Sequence, residues 1–118
     1  SPDDWLLDSA CTRSIARNKQ HFTSYLPCEH VIEGFGKSNG IGRGTISLSA
    51  VLGSSTRACT IRDVIHCPDA PFNLISLARI TDAGYHAKFV GDLVEIRSEK
   101  GHLVAIGDKV SHMYRLRV

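Results

Sequence analysis

A carboxylate at the end of an apolar strand is the feature of this chain best suited to chemistry. Trp5-Leu6-Leu7 is a short apolar run that stops at Asp8-Ser9-Ala10. Such a run reads as a strand feeding a turn. Its apolar side chains go inside, and the turn presents the Asp8 carboxyl where it can accept or give a proton. A lone aspartate in a turn also has a plainer use, accepting hydrogen bonds from the amides of its own turn. Asp8 therefore needs other residues around it to define a site.

The remaining reactive side chains do not assemble a rival centre. The cysteines are Cys11, Cys28, Cys59 and Cys67, and no C-x-x-C pair occurs, which argues against a zinc ribbon or a dithiol redox motif. Cys28-Glu29-His30 and His66-Cys67 could face each other as a Cys2His2 set, but neither has the spacing of a structural zinc site. The cysteines read as buried or half-buried thiols of a reducing compartment. No metal and no cofactor is expected. Arg13, Arg17 and Lys19 make a small basic cluster without interleaved aromatic residues, so a single-strand nucleic-acid platform is not expected either.

Size and composition frame these candidates. The 118 residues suit one domain spanning 1–118. At 42% apolar and 22% charged residues the chain falls in the ordinary globular range, and a net charge of +2 makes no case for a polyanionic partner. No apolar run approaches the ~20 residues of a membrane span, and the start carries no signal-peptide pattern. The expectation is a soluble intracellular domain with no membrane partner, small for an enzyme.

The elements that must position Asp8 read as follows. Residues 12–25 are polar and suit an irregular connection with one helical turn near Asn18. A strand at 31–33 leads into a glycine-rich tip at 34–40, where Asn39-Gly40 is a turn signal. Alternation resumes through Ile46, Leu48 and Ala50, completing a long hairpin, and after a turn at 53–56 a further strand runs to His66. Cys67-Pro68-Asp69-Ala70-Pro71 breaks the ladder. Ser76 can cap a short helix through Ala83, with Gly84 at C′. Residues 85–90, 93–96, 103–106 and 113–118 are four further strands, separated at Gly91-Asp92, Glu99-Lys100-Gly101 and Gly107-Asp108. Many short strands with one helix predict an all-β barrel or sandwich.

Several segments together resemble the protease domain of copia-type retrotransposon polyproteins. They are Trp5-Leu6-Leu7-Asp8-Ser9-Ala10-Cys11-Thr12 with Phe22-Thr23-Ser24-Tyr25, then Gly42-Arg43-Gly44-Thr45-Ile46, then Asp63-Val64-Ile65-His66-Cys67-Pro68, then Asn73-Leu74-Ile75-Ser76-Leu77, and finally Met113-Tyr114-Arg115-Leu116. The resemblance keeps order and spacing over essentially the whole chain. It implies a retropepsin-like closed β-barrel with a flap hairpin and one short α-helix. It further implies that one chain is half an enzyme. Asp8 would be the catalytic residue, meeting Asp8 of a second copy across a two-fold axis. Ser9, Ala10 and Thr12 would support the active-site loop, with the Ser9 hydroxyl linking the two loops. Gly34, Phe35, Gly36 and Gly40 would belong to a flap over the peptide, and Leu74 and Ile75 would pack beneath the loop. The implied substrate is a peptide or a Gag-Pol-like polyprotein, and the implied setting is the cytoplasm or a virus-like particle.

One position departs from the pattern. The family signature is Asp-[Ser/Thr]-Gly, and this chain has Ala10. If φ there is negative, alanine costs little; if positive, about 1 kcal/mol. Ala10 therefore bears on activity more than on fold. The alternative to an active protease is a catalytically impaired protease-like domain that serves as a dimerisation or peptide-binding module.

Overall fold

The computed structural model describes residues 1–32 and 38–118. Its ten strands are β1 (Trp5–Asp8), β2 (Ile15–Ala16), β3 (Phe22–Ile32), β4 (Ser38–Leu52), β5 (Ser55–His66), β6 (Asn73–Ser76), β7 (His86–Val90), β8 (Leu93–Arg97), β9 (Leu103–Val110) and β10 (Met113–Leu116). One helix, α1 (Leu77–Asp82), follows β6, and a 3-10 turn at Lys19–His21 precedes β3. The strands form a single sheet in the order β3-β4-β5-β2-β6-β1-β10-β9-β8-β7. No helix among the described residues is long and apolar enough to cross a membrane.

β1 lies in the middle of that sheet, which explains its unbroken apolar run. A strand covered on both faces has no polar side to present. Trp5 and Leu7 enter the main core with Ile46, Leu48, Val64, Ile75, Val94, Ile96 and Leu116. Leu6 points the other way, into a smaller cluster with Ile15, Cys67, Ala70 and Leu74. β1 and β2 are consecutive in the chain but not in the sheet. β6 inserts between them, parallel to β1 and antiparallel to β2. The loop joining β1 to β2 must therefore arch over the end of β6.

The sheet curls into a barrel without completing its ladder. The outer strands β3 and β7 do not pair with each other, so the closed barrel implied by the resemblance is corrected to a coiled sheet that is not closed by hydrogen bonds. Strong right-handed twist brings β4 across onto β9, and side chains of β4, β8 and β9 share the main core. Backbone bonds near the seam run from Val51 N–H to Arg117 O and from Arg117 N–H to Ile106 O, both 2.9 Å.

Local expectations fare unevenly. Ser76 accepts the Arg79 N–H as the N-cap of α1, Ala83 is the C-cap, and Gly84 follows at φ 94°. Three corrections stand beside this. The stretch from Phe22 to Tyr25 is strand rather than irregular connection, held by pairing with β4. Asn39 and Gly40 are not a turn: they pair with Val31 and His30 inside the ladder. Gly107-Asp108 does not end a strand either, because β9 continues to Val110 and the turn follows at Ser111, whose φ is 60°. In each case strand pairing overrides a local composition or turn signal.

Candidate active site

The geometry around Asp8 begins with strand register. Parallel pairing sets Asp8 beside Ser76 and Leu7 beside Ile75. Asp8 is half-buried at the end of β1, and Ser9 and Ala10 follow in an exposed turn. The Ala10 N–H donates to Asp8 Oδ1 at 2.8 Å, an Asx-type contact that fixes the carboxyl plane. Asp8 Oδ2 takes no hydrogen bond among the described residues. One oxygen is thus committed to orientation.

The loop is held from below by buried serines. Ser76 Oγ donates to Cys11 O at 2.8 Å and accepts the Arg79 N–H at 3.3 Å. The Ser76 N–H in turn donates to Ser14 Oγ at 3.0 Å. Both serines are buried, so these bonds form away from competing water and define one loop path. Arg79 Nε adds a bond to Thr12 O at 3.0 Å. Asn73 ties the other end of β6, accepting the Arg17 N–H at 2.8 Å and donating to Asp3 O at 3.2 Å. Cys11 lies beside Asp8. Burial, and then the Asp8 charge, push its thiol up to about 11, so it stays protonated at neutral pH.

Each sequence-derived site residue can now be located. Ser9 is exposed and forms no hydrogen bond among the described residues. Ala10 is absent from the non-glycine residues with positive φ, so its backbone does not require glycine. Thr12 is exposed and serves the loop through its carbonyl. Leu74 and Ile75 are fully buried beside Leu6 and Leu7. Gly34, Phe35 and Gly36 lie outside the described residues. Gly40 sits in β4 rather than at a tip.

The glycines of Gly42-Arg43-Gly44 have a steric reason. A Cβ on Gly42 would collide with the Tyr25 ring, and one on Gly44 with the Ser24 carbonyl. The close approach lets the Tyr25 hydroxyl reach His66 Nδ1 at 2.8 Å. A residue that sequence reasoning missed is Asp63. Between Gly44 and Ile46 on β4 the register shifts against Val64 and Ile61 on β5, and Asp63 in that bulge has φ 57°. The signals in the sequence were an Asp inside an alternating strand and its place at the head of the segment Asp63–Pro68, neither of which points to a role for its carboxylate. Ser14 was likewise missed, for want of any local signal.

No cluster of three or more His, Cys, Asp or Glu that could hold a metal occurs among the described residues. A cavity of about 300 Å³ opens in the core between Leu48, Ile75, Ile80, Ile96, Val104 and Leu116, and Asp8 does not line it.

A coiled, single-sheet β-barrel with one short helix and a braced aspartate loop defines the class. Residues 5–85 match the model of the Pol polyprotein β-barrel domain family, and the chain belongs to that family. No curated protein matches the sequence.

Proposed function

We propose that this domain is the half-enzyme of an aspartic endopeptidase, of the copia-type retrotransposon class, that processes its own Gag-Pol-like polyprotein. Asp8 and Asp8 of a second copy would form the active pair. Two carboxylates a few ångströms apart cannot both ionise easily, so the pair would share one proton. The ionised member takes a proton from a bridging water, and the protonated member donates to the scissile carbonyl. The acid–base pair activates water directly, so the scheme needs no covalent intermediate.

The observation that carries this reading is the setting of Asp8. A half-buried carboxylate ends a central buried strand, with Oδ1 fixed by the Ala10 amide and its loop pinned by Ser76 and Arg79. Such bracing is costly for an ordinary turn and useful for a group whose position must hold to a fraction of an ångström. A second reading, a non-cleaving dimerisation or peptide-binding module, draws on Ala10. Its methyl is exposed in one chain and would stand at the crowded axis of a pair.

The test is cleavage of a denatured protein mixture at pH 4–7 and high enzyme concentration, with and without pepstatin. Pepstatin-sensitive cleavage is expected. Asp8→Asn should remove it by about 10³-fold or more, and should leave Tm nearly unchanged because Asn retains Oδ1 for the Ala10 amide. Absence of pepstatin-sensitive cleavage rejects the protease reading; a stable dimer that cleaves nothing supports the second.

A further inference from the structure

The bulge at Asp63 gathers three arginines from three separate elements. Arg13 comes from the Asp8 loop, Arg43 from β4 and Arg79 from α1. Their distances to the Asp63 carboxylate are 3.4 Å for Arg13 Nη1, 2.8 Å for Arg43 Nε and 3.1 Å for Arg79 Nη1. None of the three pairs with another carboxylate among the described residues. Three guanidinium charges against one carboxylate leave two positive charges in surplus.

The donors are in surplus as well. Each guanidinium carries five N–H groups in a planar fork. Of the three contacts to Asp63, only the one from Arg13, long at 3.4 Å, has hydrogen-bond alignment. Asp63 Oδ1 is out of water and has no aligned partner, although Arg43 Nε lies against it. Arg79 spends one further N–H on Thr12 O. The arginine side chains remain 38%, 50% and 42% exposed, so the unused donors are within reach of a ligand. Asp63 holds its place at a φ that residues other than glycine adopt infrequently, and bulges commonly re-aim a side chain beside a functional site. The carboxylate acts as a hub that holds three like charges close together.

The cluster also touches the machinery around Asp8. Arg13 lies on the loop that begins at Asp8, and Arg79 binds that loop through Thr12. Arg43 and Asp63 line an open groove with Tyr25, Cys28 and Thr45 at the base of the long hairpin. We propose that Arg13, Arg43 and Arg79 form a subsite for an acidic side chain, Asp or Glu, of a peptide lying in that groove. The proposal rests on the protease reading for the identity of the occupant as a substrate. It depends only on the arginine geometry for the preference itself. A carboxylate offers the planar pair of acceptors that a guanidinium fork engages bidentately, and a single acidic residue neutralises one of the two surplus charges.

The experiment measures binding to the Asp8→Asn protein, which cannot turn over its ligand. The probes are rhodamine-labelled decapeptides of one neutral sequence in which a single Glu is walked through each position, with Gln at the same position as reference. At one or two positions Glu should bind about 5–20-fold more tightly than Gln at 50 mM salt, and the ratio should shrink at 0.5 M. The double change Arg13→Gln/Arg43→Gln should abolish the Glu preference, bringing each Glu peptide to within about twofold of its Gln reference. Equal binding of Glu and Gln peptides at every position overturns the proposal, as does a preference that survives the double change. A single-stranded oligonucleotide (dT20) that binds more tightly than every peptide, and is lost with the same double change, assigns the cluster to nucleic acid and also overturns it. Asp8-containing protein that cleaves nothing, beside an Asp8→Asn protein that still prefers Glu, rejects the protease reading and leaves the acidic subsite standing.

Discussion

Two parts of the chain are built by different rules. From β1 to α1 the hairpins β3-β4-β5 are joined to strands distant in sequence, β2 with β5 and β6 and β1 with β6, and all four buried polar residues described, Ser14, His66, Asn73 and Ser76, fall there. From β7 to β10 each strand pairs with the next in an antiparallel meander, and the buried side chains are Val94, Ile96, Val104 and Leu116. The family match covers the first region and ends at residue 85. The contrast has a physical meaning. Apolar burial is non-directional and only asks that surface be covered. A buried hydrogen bond also specifies direction, and leaving it unmade is costly. The first region therefore uses polar contacts where a loop must take one shape, at Asp8, while the meander supplies cover.

The largest effect that should separate the regions is on activity. Asp8→Asn should abolish cleavage and spare the fold, whereas no single change in the exposed face of the meander should do so. The next effect is on stability. Ile75→Ala removes a fully buried side chain beneath Leu7 and should cost about 3–4 kcal/mol by urea unfolding. Val104→Ala in the meander should cost roughly half as much. Equal losses would show that the two regions carry the core alike. Ser76→Ala deletes the bond to Cys11 O and the cap of α1 together, for about 1–2 kcal/mol. Its cleavage rate should fall further than that of a Val104→Ala protein of similar Tm, since Ser76 braces the Asp8 loop and Val104 does not.

A pH effect should follow from His66. Burial holds its imidazole below the ordinary value of 6.5, so the folded protein keeps it neutral while the unfolded chain takes up a proton. The associated stability is present above pH 6.5 and is lost as pH falls from 6.5 towards the lowered folded value. Between pH 7.5 and 5 the wild type should lose more Tm than His66→Gln, which retains an acceptor for Tyr25. Matching pH slopes would remove His66 from the account. The smallest effect belongs to the meander's surface. Asp108 and Arg117 form a two-point ion pair at 2.7 and 2.8 Å that holds the carboxyl low. The pair lies at the surface in contact with solvent, and Asp108→Asn should barely move Tm at physiological salt.

How much of this was legible in the sequence differs by region and by residue. The helix after Ser76 was readable because a cap and a C′ glycine act within a few residues. The meander's strands were readable from alternation, apart from the length of β9. Phe22–Tyr25 and Asn39-Gly40 were misread because β3 and β4 settle their conformation by pairing with each other. Leu74 and Ile75 were identifiable as core, but not that they lie between β1 and β2. Asp63 gave no sign of its role, since Arg13, Arg43 and Arg79 converge on it only after β2, β5 and α1 have packed.

The sequence alone determined the all-β class, the position of Asp8 at the end of an apolar strand, the helix cap and the resemblance carried by ordered short motifs. These depend on periodicity, turn chemistry and residue identity, which act along a few bonds of chain. Tertiary structure decided that the sheet coils without closing its ladder, that Ser14 and Ser76 brace the Asp8 loop, that Ala10 sits at a φ it can tolerate, and that three arginines surround one aspartate. The serine braces and the arginine cluster require segments some 50 to 65 residues apart to meet, and no local preference encodes the register in which they do.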